Sequence, residues 1–131
     1  MSHIAWKAEY SVGNSKLDQH HQRIVNMINL LGDAIDNGSE KAALMKIFSD
    51  LAGYTKTHFA EEERLMTQAA YPAVEEHCLQ HAELNRKLAD YYRSFYAGTR
   101  PKSDEVMQFL QGWLFDHILE QDMAYAPLLK D

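Results

Sequence analysis

The chain has 131 residues, 46% of them hydrophobic and 24% charged, with a formal net charge of -6. That length suits one domain with a working core, with no room for a second of independent stability, and the composition argues against a disordered chain. The negative balance, with no Lys/Arg cluster to offset it, argues against nucleic acid or acidic lipid as a partner.

Met1 to Tyr10 carries Lys7 and Glu9 and no apolar h-region, and no apolar run is long enough to span a bilayer. The expectation is a cytoplasmic protein without stable membrane insertion. Residues 1–15 read as an N-terminal arm. Ser15, with Asp18 three residues on, reads as a capped start and Asn37-Gly38 as a stop, giving a first helix over 16–36. Ser39 is the expected cap of a second helix over 39–69, which Tyr71-Pro72 breaks. A third over 72–97 stops at Gly98, and after Thr99-Arg100-Pro101 a fourth runs over 104–122 from Ser103-Asp104. No strand pattern, repeat or low-complexity segment appears.

Apolar residues recur at alternating steps of three and four. The stripes are Leu17, His21, Ile24, Ile28, Leu31 and Ile35; then Leu44, Ile47, Leu51, Tyr54, His58 and Leu65. Segment three gives Val74, His77, His81, Leu84, Leu88, Tyr91 and Phe95, and segment four Val106, Phe109 or Leu110, Trp113 and His117. Four such stripes on shortly connected helices predict an all-α fold, an up-down-up-down antiparallel four-helix bundle forming a single domain over 1–131.

Five of the seven histidines, His21, His58, His77, His81 and His117, fall on core-facing positions. One such histidine is ordinarily a satisfied core residue. Five in one seam each bring a polar nitrogen that needs a partner, at about 1–3 kcal/mol per unsatisfied group, and a shared metal supplies partners for all. Glu62 lies four residues after His58, about 40° round the helix, so both project from one face, and His77 and His81 have the same relation. Glu61 and Glu63 read as a solvated acidic run. Asp122 follows His117 by five residues, about 140° away on an ideal helix. Either the helix is distorted there, or its end lets Asp122 swing inward. Cys78 is the only cysteine, which excludes an internal disulfide, and it receives no role.

Four landmarks carry a resemblance across nearly the whole chain: Leu17-Asp18-Gln19-His20-His21-Gln22-Arg23-Ile24, His58-Phe59-Ala60-Glu61-Glu62, His77-Cys78-Leu79-Gln80-His81, and Trp113 through Asp122. With the lead-in Tyr10-Ser11-Val12-Gly13, the chain resembles bacterial single-domain members of the hemerythrin family. The resemblance implies two iron ions with an oxo or hydroxo bridge, one held by His77, His81 and His117 and the other by His21 and His58, with Glu62 and Asp122 bridging. The second iron then has one nitrogen fewer, and O₂ is expected there, bound reversibly as hydroperoxide. By the same resemblance, Ile24, Phe59, Trp113 and Leu114 wall the O₂ pocket. One departure is His20, where the family usually has glutamine. His21 continues the helix-one stripe, whereas His20 is turned about 100° from it and is expected at the bundle edge or in solvent.

These features favour a carrier over an enzyme, with O₂ as ligand and an oxygen-consuming enzyme as the partner class left open. The rivals are a sensor of O₂, nitric oxide or iron, a ferritin-like di-iron oxidase, and a structural zinc bundle. The oxidase would use Glu-x-x-His repeats, and no Glu lies three residues before any histidine here.

Overall fold

The computed structural model describes residues 4–98 and 103–130, with the side chains of 103, 114–116, 118 and 119 not described. It is helical throughout, with no strand among the described residues. A single 3₁₀ turn, Ala8–Tyr10, precedes α1 (Ser15–Asp36), α2 (Lys41–Gln68), α3 (Val74–Tyr96) and α4 (Ser103–Phe115). A π-helical segment, Asp116–Asp122, then leads directly into α5 (Met123–Leu129). The expected fourth helix is thus two α-helices joined by a π turn, seven residues longer than the sequence suggested and with Pro127 inside it.

Two expected caps are corrected. The N-cap of α1 is Asn14, whose side chain accepts from the backbone N–H of Leu17, and Ser15 is already helical. Asp18 instead ties down the arm, accepting from Ser11 Oγ at 2.5 Å and from the Val12 N–H at 2.8 Å. The N-cap of α2 is Glu40, with no side-chain bond, while the Ser39 N–H donates to the Ala34 carbonyl and closes α1. Gly38 makes that closure possible at φ +69°, a left-handed conformation that a Cβ disfavours. Further up the arm, Asn29 bonds both backbone groups of Ile4 at 2.8 Å.

Helix α2 packs on both α1 and α3, and α1 also packs on α4. Of the expected α2 stripe, Leu44, Leu51 and His58 are buried, but the rest of the buried face lies one residue further on. Phe48, Thr55 and Met66 are buried, whereas Ile47, Tyr54 and Leu65 are half-buried. The interior divides into two apolar clusters. One holds Ile24, Ile28, Leu51, Phe59, Leu88, Leu110 and Trp113 among others; the smaller holds Val12, Leu17, Met66, Tyr125, Ala126 and Leu129. Along α1, His21 falls between Leu17 of the small cluster and Ile24 of the large one. Along α2, Glu62 falls between Phe59 and Met66, and along the last helix His117 and Asp122 fall between Trp113 and Tyr125. A polar layer therefore separates the two cores. No helix among the described residues is long and apolar enough to cross a membrane.

Candidate metal centre

Seven ionisable side chains make up that layer, none more than 4% exposed: His21 on α1, His58 and Glu62 on α2, His77 and His81 on α3, His117 and Asp122 on the π segment. Regular α-helix places His58 Nε2 3.4 Å from Glu62 Oε1 and the His77 and His81 rings 4.6 Å apart. The π turn, closed by i→i+5 bonds, brings residues five apart onto one face, and His117 Nε2 lies 2.9 Å from Asp122 Oδ1. Of the two readings of that spacing, helix distortion is the one found.

The carboxylates face two ways. Asp122 Oδ1 meets His77 Nε2 at 3.0 Å as well as His117, while Oδ2 meets His21 Nε2 at 3.1 Å. Glu62 Oε1 lies 3.2 Å from His81 Nε2 and 3.8 Å from His117 Nε2. Glu62 Oε2 lies 3.5 Å from His21 Nε2 and accepts a hydrogen bond from the Tyr125 hydroxyl. The ligand atoms fall into two sets, each converging within 4.8 Å: His77, His81, His117, Glu62 and Asp122, and His21, His58, Glu62 and Asp122. Both carboxylates belong to both sets, and the second set has one nitrogen fewer.

Several of these atoms are buried without a hydrogen-bond partner, among them Nε2 of His21, His58 and His77, Glu62 Oε1 and both oxygens of Asp122. Native interiors rarely leave so many such groups unsatisfied. Burial pushes His21 down, but the adjacent carboxylates of Asp122 and Glu62 outweigh it and raise its pKa to about 9. His117 is likewise pushed down by burial and raised further, to about 10, by Asp122 and Glu62. Burial alone would raise both carboxyls. The surrounding imidazoles, His58, His117 and His21 for Glu62 and His117 and His21 for Asp122, hold them below their ordinary values. The site is a buried, charge-compensated cage of five imidazoles and two carboxylates.

Around it, Phe59 stacks on His81, with centroids 3.8 Å apart and planes 6° from parallel, and Trp113 meets Phe59 edge-on at 6.0 Å. Ile24 is buried in the same apolar cluster. The Leu114 side chain lies outside the described residues. Trp113 also lines a groove of about 500 Å³ with Leu84, Phe109, His117 and Gln121. Two participants escaped the sequence reading. Tyr125 lay beyond the expected end of helix four. Glu63, taken as solvated, has Oε1 3.7 Å from His81 Nδ1. Glu61 is held by Lys16 at 2.8 Å and by Arg64, away from the cluster. Burial and Glu63 push the Cys78 thiol up to about 11, which keeps it protonated and a poor nucleophile.

A buried cage of histidines and shared carboxylates has a counterpart among known domains: the family model for the hemerythrin HHE cation binding domain matches residues 12–129. The chain belongs to the hemerythrin family. It is 38% identical over 130 residues to a bacteriohemerythrin of Pseudomonas paraeruginosa, covering 99% of this chain and 84% of that one. It is 29% identical over 124 residues to the myohemerythrin of Riftia pachyptila, covering 95% and 92%. The crystal structure of a wild-type hemerythrin superposes with a TM-score of 0.92 at 29% identity, covering 99% of this chain and 100% of that one.

Proposed function

We propose that this hemerythrin domain binds O₂ reversibly at a di-iron centre and acts as a carrier, not as an enzyme. One observation carries the reading: two sets of converging ligand atoms share Glu62 and Asp122 and differ by one histidine. The donor set fits iron. Imidazole and carboxylate are ordinary iron ligands, and bound cations would satisfy the orphaned nitrogens and oxygens at once. His77, His81 and His117 would hold one iron, His21 and His58 the other, with Glu62 and Asp122 bridging. When bound, the two ions supply the reversible two-electron exchange with O₂ that no side chain here offers.

The protein's own part is to hold and to exclude. Ile24, Phe59 and Trp113 form an apolar wall beside the cage that limits the entry of bulk water, and the family resemblance adds Leu114 to the residues expected there. The Tyr125 hydroxyl fixes the Glu62 carboxylate from the opposite core. The two apolar clusters alternate in order along successive helices, which supports an up-down-up-down antiparallel bundle with α4, the π segment and α5 as its fourth arm, and one domain across 1–131. The relatives named bacteriohemerythrin and myohemerythrin support the carrier reading. Its ligand is O₂, its setting the cytoplasm, and its partner class an oxygen-consuming enzyme.

Metal analysis with absorption spectra of the reduced protein before and after air tests this. The expected result is two irons per chain and a visible charge-transfer band that appears with O₂ and vanishes on its removal. A colourless zinc protein ends the reading.

A further inference from the structure

His20 lies outside the seven-residue cage. The sequence placed it at the bundle edge or in solvent; it is half-buried at the edge, with its ring against α2. Its Nδ1 lies 2.9 Å from Nδ1 of His58, with the two rings edge-to-face at 84°. On another side it meets Tyr54 edge-on at 5.8 Å, and Arg23 covers the Tyr54 ring at 5.0 Å. His20 is therefore wedged between two side chains of α2 one turn apart.

Two imidazole nitrogens at 2.9 Å share one proton, so one ring donates and the other accepts. If His20 donated, the neutral His58 would carry its own hydrogen on Nε2, aimed at the cage, and could not ligate through that atom. If His58 donates, its Nε2 is a lone pair facing the cage. His58 Nε2 faces the cage, 3.4 Å from Glu62 Oε1 and within the second ligand set, and it can hold a cation there only through a lone pair, which leaves its hydrogen on Nδ1. We infer that His20 is a positioning residue for His58: it accepts the His58 Nδ1–H and so fixes the tautomer whose Nε2 lone pair faces Glu62 and Asp122. His20 carries its own hydrogen on Nε2, across the ring from the shared proton. The set containing His58 has only two histidines, so this bond governs half of its nitrogen donors. The direction of this bond rests on the di-iron reading; the contact between the two rings does not.

The test uses ¹⁵N–¹H correlation of the histidine rings in the metal-free full chain, with His58 assigned by loss of its signals in His58→Ala. The parent His58 is expected as the Nδ1–H tautomer. His20→Leu, similar in bulk but without an acceptor, shifts His58 toward Nε2–H, and His20→Gln, whose carbonyl oxygen can accept, restores it. Cobalt(II) titration supplies the second readout. The weaker of two bound ions loses about 10- to 100-fold in affinity in His20→Leu, as for other partners of metal-ligating histidines, and recovers in His20→Gln. Thermal unfolding confirms that the variants fold, and the parent spectrum decides the tautomer even if one does not. Nε2–H on His58 in the parent overturns the inference, as does a tautomer and cobalt affinity unchanged in His20→Leu. A parent chain that binds only one cobalt ion would instead overturn the di-iron reading, leaving the tautomer result to stand alone.

Discussion

Asp122 touches both ligand sets with different oxygens, Oδ1 toward His117 at 2.9 Å and Oδ2 toward His21 at 3.1 Å, although His117 and Asp122 are five positions apart on one helical run. The π turn creates that relationship by taking up one extra residue, as π turns often do at functional sites.

Sharing makes the two sets unequal under mutation. Asp122→Asn keeps the shape and removes the charge from both sets, so metal content should fall below one ion per chain. His21→Ala touches one set and should leave the ion at His77, His81 and His117. Metal counting on the purified variants checks this; equal losses in both would show that Asp122 does not span the two sets.

Tyr125→Phe removes only the hydroxyl that donates to buried Glu62. Losing a hydrogen bond to a buried carboxylate should cost about 1–3 kcal/mol in the metal-free chain. Metal release to a chelator should quicken as Glu62 loosens. Unchanged unfolding and unchanged release would leave the hydroxyl without a role.

Trp113→Ala takes a large side chain from the wall of the cage without touching a ligand. The cavity should cost about 3–5 kcal/mol of stability. Iron content should hold while autoxidation of the O₂-loaded form accelerates, because water gains a route. If the fraction still loaded autoxidises at the parent rate, Trp113 serves packing alone.

How much of this was legible in the sequence depends on what kind of residue carried the signal. The first three helices came within two residues of their bounds because glycine and proline mark their ends and apolar stripes mark their faces. His21, His58, Glu62, His77, His81 and His117 were visible because four-residue steps project onto one face. The fourth helix was cut short at Asp122 because a regular 3.6-residue period cannot represent a π turn, and Tyr125 was lost with the residues beyond it. His20 does lie half-buried at the edge of the bundle, but its contact with His58 was not legible. Helical angle gives the direction in which a side chain leaves the backbone, about 100° from His21, but not which side chain of a neighbouring helix it meets there. Asn14 capped α1 in place of Ser15 because both residues are competent caps and the local pattern does not choose between them.

The charge state of the metal-free cage gives the last prediction. With pKa values raised to about 9 and about 10, His21 and His117 are imidazolium at pH 7, opposed by Glu62 and Asp122 as carboxylates. A folded-state pKa raised above its ordinary value of 6.5 contributes stability that is whole below 6.5 and is lost as pH rises through about 9 for His21 and about 10 for His117. The lowered carboxyls act in the opposite sense: their contribution is whole above their ordinary values of 4.5 for Glu62 and 3.8 for Asp122 and is lost as pH falls. Thermal unfolding of the metal-free chain should therefore peak between these windows, near mildly acid pH, and decline steadily toward pH 10. Cations need neutral imidazoles, so loading must expel the His21 and His117 protons, about two for each pair of ions bound at pH 7. Bound metal then replaces the ion pairs, and the loaded chain should show no such decline between pH 7 and 9. Titration calorimetry in two buffers of different ionisation enthalpy counts the protons, and unfolding scans across pH give the stability profile. Loading with no proton release at pH 7, or a metal-free melting temperature flat to pH 10, would mean that the cage holds its imidazoles neutral before any metal arrives.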